Sequence, residues 1–265
     1  MGDAVDKGPV RHLLGLSGGK DSSALAIYLR DKLPDMEYFF ADTGAELPET
    51  MEYIDLLEDY LGKPIVRLNA NRDFDYHLKL HNNFLPSARQ RWCTVNLKLI
   101  PFEEFVGDDE ATSYIAIRAD EPSRSGYISK KQNIKTRMPF REDGITKEDV
   151  LNILETSGLG MPKYYNWRSR SGCYFCFFQR QEEWAGLKKN HPEFFDKAKT
   201  YEVPDPKTGK VFTWNQAGTL DEIVEKYNNK KINEKDKKIS KRLIDNISEN
   251  SSDDDDDEGC LICTL

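Results

Sequence analysis

Residues suited to handling phosphate stand near the start of the chain. Ser17-Gly18-Gly19-Lys20-Asp21-Ser22-Ser23 follows an apolar run, His12 to Leu16. It leads into Ala24, Leu25, Ile27, Tyr28 and Leu29 at helical spacing. A glycine pair between a strand and a helix start lets the backbone approach an anion with no side chain in the way. The first N–H groups of the helix then face that anion, and the helix dipole favours it. Ser17, Ser22 and Ser23 add hydroxyl donors, and Lys20 adds a positive charge. The segment predicts a nucleotide or pyrophosphate cradle near residue 20. An ordinary strand–helix turn is the bland alternative, but it requires none of these side chains.

Two common phosphate loops do not fit. The P-loop needs a glycine, four residues, then Gly-Lys-Ser/Thr. Gly19-Lys20 matches its second half, but Leu14 stands at the first glycine and Asp21 at the magnesium-binding hydroxyl. No Gly-x-Gly-x-x-Gly is present either.

Cysteine is the second candidate chemistry. Cys173-x-x-Cys176 has metal-ligand or redox spacing, and Cys93 is a third thiol. Three thiols make an incomplete four-cysteine set. A [4Fe–4S] centre with a non-cysteine fourth ligand, a zinc site completed by His191 or a tail cysteine, and no metal at all are the open readings. Cys260-Leu261-Ile262-Cys263 ends the chain after the acidic run Asp253–Glu258. That tail reads as a swinging thiol or persulfide carrier, as a lid supplying a fourth ligand, or as an unstructured end with incidental cysteines. It is no prenylation box, because the fourth residue from the end is Ile262. His77, His81 and His191 have no partner spacing and read as surface or interface residues. Trp92, Trp167, Trp184 and Trp214 read as packing residues.

Alternating patterns must position these groups. Strands are expected near 11–16, 37–42 and 65–68, and at Tyr114–Ile117. Helices are expected at 22–33, at 48–61 closed by Gly62, at Thr146–Ser157, and from about 179. A hairpin is expected over 203–214, turning at Lys207-Thr208-Gly209-Lys210. Such alternation predicts an α/β fold, a parallel sheet flanked by helices. Ligands in these sheets sit at the carboxyl ends of strands. Ser17, Asp42 and Arg118 all lie at such ends, so one crevice would collect the loop, an acid and an arginine. Asp42 is a candidate for magnesium or nucleotide, or a strand-end cap. Arg118 and Arg124 flank Asp120-Glu121, and arginine suits bidentate contact with phosphate or sulfate. Arg89 and Arg91 are weaker candidates for the same role.

Five blocks in order carry a family resemblance: Ser17–Ser23; Ala41-Asp42-Thr43-Gly44-Ala45-Glu46; Arg91-Trp92-Cys93-Thr94 before Leu97-Lys98-Leu99-Ile100-Pro101; Ile117-Arg118-Ala119-Asp120-Glu121-Pro122-Ser123-Arg124; and Arg170-Ser171-Gly172-Cys173-Tyr174-Phe175-Cys176. The loop resembles that of the ATP pyrophosphatase (PP-loop) superfamily. The whole set, over roughly 10–195, is similar to the phosphoadenosine-phosphosulfate (PAPS) reductase family. That branch includes sulfonucleotide reductases and the ATP pyrophosphatases of DNA phosphorothioation. The resemblance implies a Rossmann-like, adenine nucleotide alpha hydrolase-like sheet over 1–145. A helical, cysteine-containing part over 146–232 and a flexible, disordered acidic tail over 233–265 would follow.

The resemblance also implies chemistry. ATP with Mg2+ would bind on Ser17, Gly18, Gly19, Lys20, Asp21, Ser22, Ser23, Asp42, Thr43 and Arg124. Lys20, Asp21 and Arg118 would be catalytic. Cys93, Cys173 and Cys176 would hold an iron–sulfur cluster. Reductases with a cluster show a Cys-Cys pair where this chain has Cys93-Thr94, which favours a three-cysteine site with an open iron. The expected reaction splits ATP to AMP and pyrophosphate and activates a nucleic-acid oxygen. Sulfur from a persulfide or an open iron would then replace that oxygen. DNA phosphorothioation is preferred over tRNA thiolation, with a cysteine desulfurase as partner and nucleic acid met within a complex. A sulfonucleotide reductase is the alternative, although its Glu-Cys-Gly-(Leu/Ile)-His tail is missing. A non-catalytic nucleotide-binding subunit is the third reading.

Composition bounds these readings. The chain has 265 residues, 38% hydrophobic and 32% charged, which allows one domain with additions or two small ones. No run of 18 apolar residues exists, and Met1–Pro9 lacks a signal-peptide core, so a cytoplasmic location without a membrane is expected. Five cysteines there suggest metal or thiol chemistry before disulfides. The net charge is −8, of which Asp253–Glu258 contributes most, leaving about −2 elsewhere. Lys and Arg cluster at 87–98, 118–141 and 163–180, where a local basic surface is available.

Overall fold

A computed structural model describes residues 8–204, 209 and 211–241, with side chains as far as residue 231. Five parallel strands form its centre: β1 (Arg11–Leu16), β2 (Met36–Asp42), β3 (Ile65–Asn69), β4 (Ala111–Tyr114) and β5 (Ile134–Arg137). The order is β3-β2-β1-β4-β5, with β1 in the middle. Leu14 lies opposite Tyr38 on one side and Tyr114 on the other. Strands covered on both faces read as continuous apolar runs, and β1 and β2 do.

Alternation along β1 and β2 builds two cores. Leu14, Leu16, Tyr38 and Phe40 face one side and pack against Ala24, Leu25, Ile54, Leu57, Val150 and Leu154. Leu13 and Phe39 face the other and meet Phe102 and Val106. The Phe39 and Phe102 rings stack with centres 4.9 Å apart. A third, aromatic cluster joins Phe74 and Trp92 to Tyr174, Phe175, Trp184, Phe195 and Trp214. Trp92, Trp184 and Trp214 are buried there, in the packing role their sequence context implies.

Local rules set the helices. α1 (Lys20–Leu29) begins at an extended Gly19 and buries Ser22, Ser23, Ala24 and Ala26, small residues that let it lie close to the sheet. α2 (Pro48–Leu61) opens on a proline, whose missing N–H costs nothing there, and closes on left-handed Gly62. α3 (Phe74–Leu80) is capped by Asp73, whose side chain accepts from the Tyr76 N–H at 2.8 Å. α4 (Trp92–Thr94) runs through a π turn at Val95–Leu99 into α5 (Ile100–Val106). Two short helices follow around the edge strand, α6 (Pro139–Glu142) and α7 (Lys147–Thr156), the latter carrying a Thr146–Asp149 capping box. A 3-10 turn at Lys163–Asn166 precedes α8 (Gln181–Asn190), α9 (Pro192–Lys199) and α10 (Leu220–Lys241).

Several expectations shift. The first helix ends at Leu29 rather than residue 33, and residues 30–32 form a turn before Pro34. The ladder of β4 covers Ala111–Tyr114, not Tyr114–Ile117. Ile115, Ala116 and Ile117 are apolar because they are fully buried, not because they pair. Arg118 therefore stands four residues beyond its strand. β5 reads Ile-Lys-Thr-Arg, an edge strand too polar to be seen in sequence. α7 lies past residue 145 yet packs on α1 in the first core. The 203–214 segment makes a single antiparallel bridge, Pro204 with Val211. Lys207, Thr208 and Lys210 of its turn lie outside the described residues, as do the acidic run and both tail cysteines.

Leu14 is fully buried at the centre of the sheet. Leu14→Ala should cost about 2–5 kcal/mol, read as a lower urea midpoint with unchanged slope.

Candidate nucleotide and thiol site

The strand order reverses between β1 and β4, since the chain builds outward to β3 and then returns to the other side of β1. Such a switch point leaves a crevice at the carboxyl ends of the two strands. Ser17 leaves β1 into that crevice, and the extended run after β4 brings in Arg118. The two sides meet: Arg118 Nη1 lies 3.0 Å from Asp21 Oδ1. Arg118 also reaches Asp120 at 2.9 Å and Glu121 at 3.6 Å, and Arg124 pairs with Glu121 at 2.5 Å. Lys20 Nζ is 3.5 Å from Asp21. Burial works against the Arg118 charge, yet Asp21, Asp120 and Glu121 outweigh it and hold the guanidinium above its ordinary value. Lys20 behaves alike: burial lowers it, and Asp21 together with Tyr165 more than restores it. The sequence-predicted Lys20, Asp21, Arg118 and Arg124 thus form one charge network.

The loop is held by Tyr164, Tyr165 and Ser171, contacts that the sequence does not announce. Ser171 Oγ donates to Ser17 Oγ at 3.1 Å, and Ser17 Oγ meets Ser22 Oγ at 3.1 Å. The Lys20 N–H donates to the Tyr165 hydroxyl at 3.1 Å, and Tyr164 donates to the Gly18 carbonyl at 2.7 Å. Both loop glycines are required. Gly18 has φ +69°, and a Cβ there would lie 2.7 Å from the Thr50 methyl. A Cβ on Gly19 would lie 2.6 Å from Ser171 Oγ. Ser23 is fully buried in α1, away from the loop surface its hydroxyl was expected to serve. Asp42 Oδ1 accepts from the Gly44 N–H at 2.9 Å, a strand-end cap. It lines a neighbouring open cleft of about 210 Å³ with Thr43, Asn69 and Arg72.

Thr43 faces the thiols. Its hydroxyl donates to Glu46 Oε1 at 2.7 Å and lies 3.2 Å from Cys173 Sγ. Glu46 also accepts the N–H groups of Thr43 and Ala45. Cys93, Cys173 and Cys176 line one cavity of about 40 Å³, with Thr94, Lys98 and Trp214. No disulfide joins the three. Burial pushes the Cys173 thiol well up, and Glu46 pushes it further while Lys98 opposes. The donor set fits a soft metal or an iron–sulfur centre. Among the described residues, no group of three His, Cys, Asp or Glu side chains converges closely enough to hold a metal ion. His191 stands elsewhere, its Nε2 2.8 Å from Glu49 Oε1, and so leaves the cysteine cavity without it. His81 stacks on Trp92 with ring centres 4.9 Å apart.

One short stretch joins the two sites. Arg168, 2% exposed, donates to the carbonyls of Gly172 and Cys173 at 3.0 and 2.8 Å. The Tyr174 N–H donates to the Ala45 carbonyl at 2.8 Å. Ser171 therefore touches the loop while Cys173, two residues on, faces the thiol cavity.

A parallel α/β sheet with a phosphate loop at its switch point defines a nucleotide-binding class. The chain belongs to the phosphoadenosine phosphosulfate reductase domain family, whose pattern matches residues 11–174. It is 26% identical over 191 residues to an uncharacterized protein of Methanocaldococcus jannaschii, covering 68% of this chain and 45% of that protein. A second protein of that organism is also 26% identical, covering 70% of this chain and 40% of its own length. The chain thus spans less than half the length of these two relatives. An uncharacterized protein of Escherichia phage 186 is 26% identical over 244 residues, covering 69% of this chain and 71% of that protein. Among solved structures, PAPS reductase from Candida auris in a phosphate complex matches with TM-score 0.48 and 12% identity over 64% of this chain and 84% of that one. The U34-tRNA thiolase NcsA from Methanococcus maripaludis with its [4Fe–4S] cluster matches with TM-score 0.42 and 18% identity, covering 76% and 74%. No helix among the described residues is long and apolar enough to cross a membrane.

Gly19→Ala tests the cradle. The added methyl must displace Ser171, so ATP affinity should fall at least about tenfold by calorimetry while the chain stays folded. Unchanged affinity would place the triphosphate elsewhere.

Proposed function

We propose that this chain is an ATP pyrophosphatase that activates a nucleic-acid oxygen for replacement by sulfur, most closely akin to the enzymes of DNA phosphorothioation. The observation that carries this reading is the Ser171–Cys173 stretch. It closes the phosphate loop at one end and lines the thiol cavity at the other. An activating nucleotide and a sulfur-bearing group need that proximity. MgATP would lie with its triphosphate on Ser17–Ser22. An acceptor oxygen attacks the α-phosphorus, the bond to the bridging oxygen breaks, and pyrophosphate leaves. Lys20 and Arg118 offset the charge that grows on the leaving group. The terminal sulfur of a persulfide from a cysteine desulfurase then attacks the acceptor and displaces AMP, which departs with the original oxygen. A second thiol attacks the carrier's own sulfur, leaving a carrier disulfide and freeing the thio product. Asp21 keeps both cations aimed at the loop. A cluster held by Cys93, Cys173 and Cys176 would supply an open iron for sulfur.

Anaerobic incubation with α-labelled ATP and magnesium should yield AMP and pyrophosphate. Asp21→Asn should lower the rate by about 10²–10³, in the range of losing one preorganised electrostatic contact. Absence of AMP together with tight adenylyl sulfate binding would instead identify a sulfonucleotide reductase.

Purified without oxygen, the chain should carry iron and acid-labile sulfide. Cys93→Ser and Cys173→Ser should each remove most of both. Metal content unchanged in Cys93→Ser sinks the cluster assignment.

A further inference from the structure

Arg91 and Arg170 both lie over the ring of Phe178, their guanidinium carbons 5.1 and 5.7 Å from its centre. Arg118 and Arg124 have carboxylates, and Arg168 has two backbone carbonyls. Among the described residues, Arg91 and Arg170 have neither. Arg91 Nε and Nη2 and Arg170 Nη1 are buried with no acceptor at all. Shielded guanidinium N–H groups without partners are costly in a folded chain, and two such arginines on one ring also repel each other. An anion brought from outside removes both costs. Guanidinium forks match phosphate oxygens two at a time.

The position says which anion. Arg91 is two residues before Cys93, Phe178 is two after Cys176, and Arg170 adjoins Ser171, which holds the phosphate loop. The triphosphate of ATP already has its own cradle on that loop. Exposed Arg89 extends the positive surface beyond Arg91. The geometry points to a second oxyanion site, made by Arg91 and Arg170 on Phe178, that takes a backbone phosphodiester of a nucleic-acid acceptor strand. Such contacts fix a strand's position without reading its sequence. This inference rests on the proposed sulfur-insertion reading for the identity of the ligand.

The test is anisotropy of a short labelled single-stranded oligothymidylate, titrated at several salt concentrations, beside separate titrations with ATP and adenylyl sulfate. Arg91→Gln and Arg170→Gln should each weaken oligothymidylate about tenfold and reduce the log–log salt slope by about 1. ATP affinity should stay unchanged. Arg91→Lys and Arg170→Lys, which keep the charge if the glutamine variants fold poorly, should keep the slope and weaken binding less. No saturable binding by the unaltered chain at low salt, or binding indifferent to both arginines, overturns the site. Loss of ATP or adenylyl sulfate affinity with oligothymidylate unaffected overturns it too, since the arginines then serve the small nucleotide. A chain that binds the strand through both arginines yet forms no AMP sinks the pyrophosphatase reading alone. AMP formation with strand binding indifferent to the arginines sinks this inference alone.

Discussion

The contact between Arg118 and Asp21 is the constraint on which the rest of the site depends. Asp21 lies in the first turn of α1, where a carboxylate gains from the helix dipole but would repel an arriving phosphate. Arg118 and Lys20 cancel that repulsion. Arg118 is only 7% exposed, and Asp21, Asp120 and Glu121 offset the cost of burying its charge. The reversal of strand order between β1 and β4 brings these groups together from opposite sides of the crevice. Topology and electrostatics thus converge on the crevice where the phosphate loop lies.

The stretch from Tyr164 to Cys176 is the second device. Tyr164, Tyr174 and Phe175 anchor it in the aromatic core, and hydrogen bonds to other elements fix the rest. Tyr164 and Tyr165 hold the backbone of Gly18 and Lys20, Ser171 holds Ser17, and Arg168 holds the carbonyls that set the turn before Cys173. The phosphate loop and the thiol cavity are therefore bridged by the three residues Ser171–Cys173. The π turn at Val95–Leu99 works from the other wall. A widened turn is costly in a helix and is commonly found at functional sites. Here it follows Cys93 and contains Lys98, both of which line the cavity.

What the sequence made legible was local. The loop, α2 with its proline start and glycine stop, and α7 with its Thr146 cap follow from neighbours in the chain. The parallel sheet followed from alternation. The misses are contacts made over long separations. Ser171 and Tyr165 touch a loop some 150 residues earlier, and nothing at either end announces the pairing. β5 was hidden because an edge strand needs only one buried residue, Ile134. Ile115–Ile117 misled for the opposite reason, since full burial without pairing gives the same apolar letters as a strand. Arg91 and Arg170 drew little weight because an unpartnered arginine looks, in sequence, like a solvated one.

The thiol cavity shows how burial and charge together set a condition on its chemistry. Burial pushes the Cys173 thiol up, and Glu46 adds to that with a carboxyl oxygen 4.0 Å from its sulfur. Glu46 is fixed there because Thr43 and Ala45 supply its hydrogen bonds, and Thr43 is itself 3.2 Å from the sulfur. Lys98 offers the one opposing charge identified at Cys173. A thiol in this setting is a poor free nucleophile, because it is the thiolate that reacts. It becomes useful when a cation or a sulfur already attached shifts the balance toward the charged form. Cys173 would therefore depend on such a component for reactivity, and Ser171, two residues before it, ties that position to the phosphate loop.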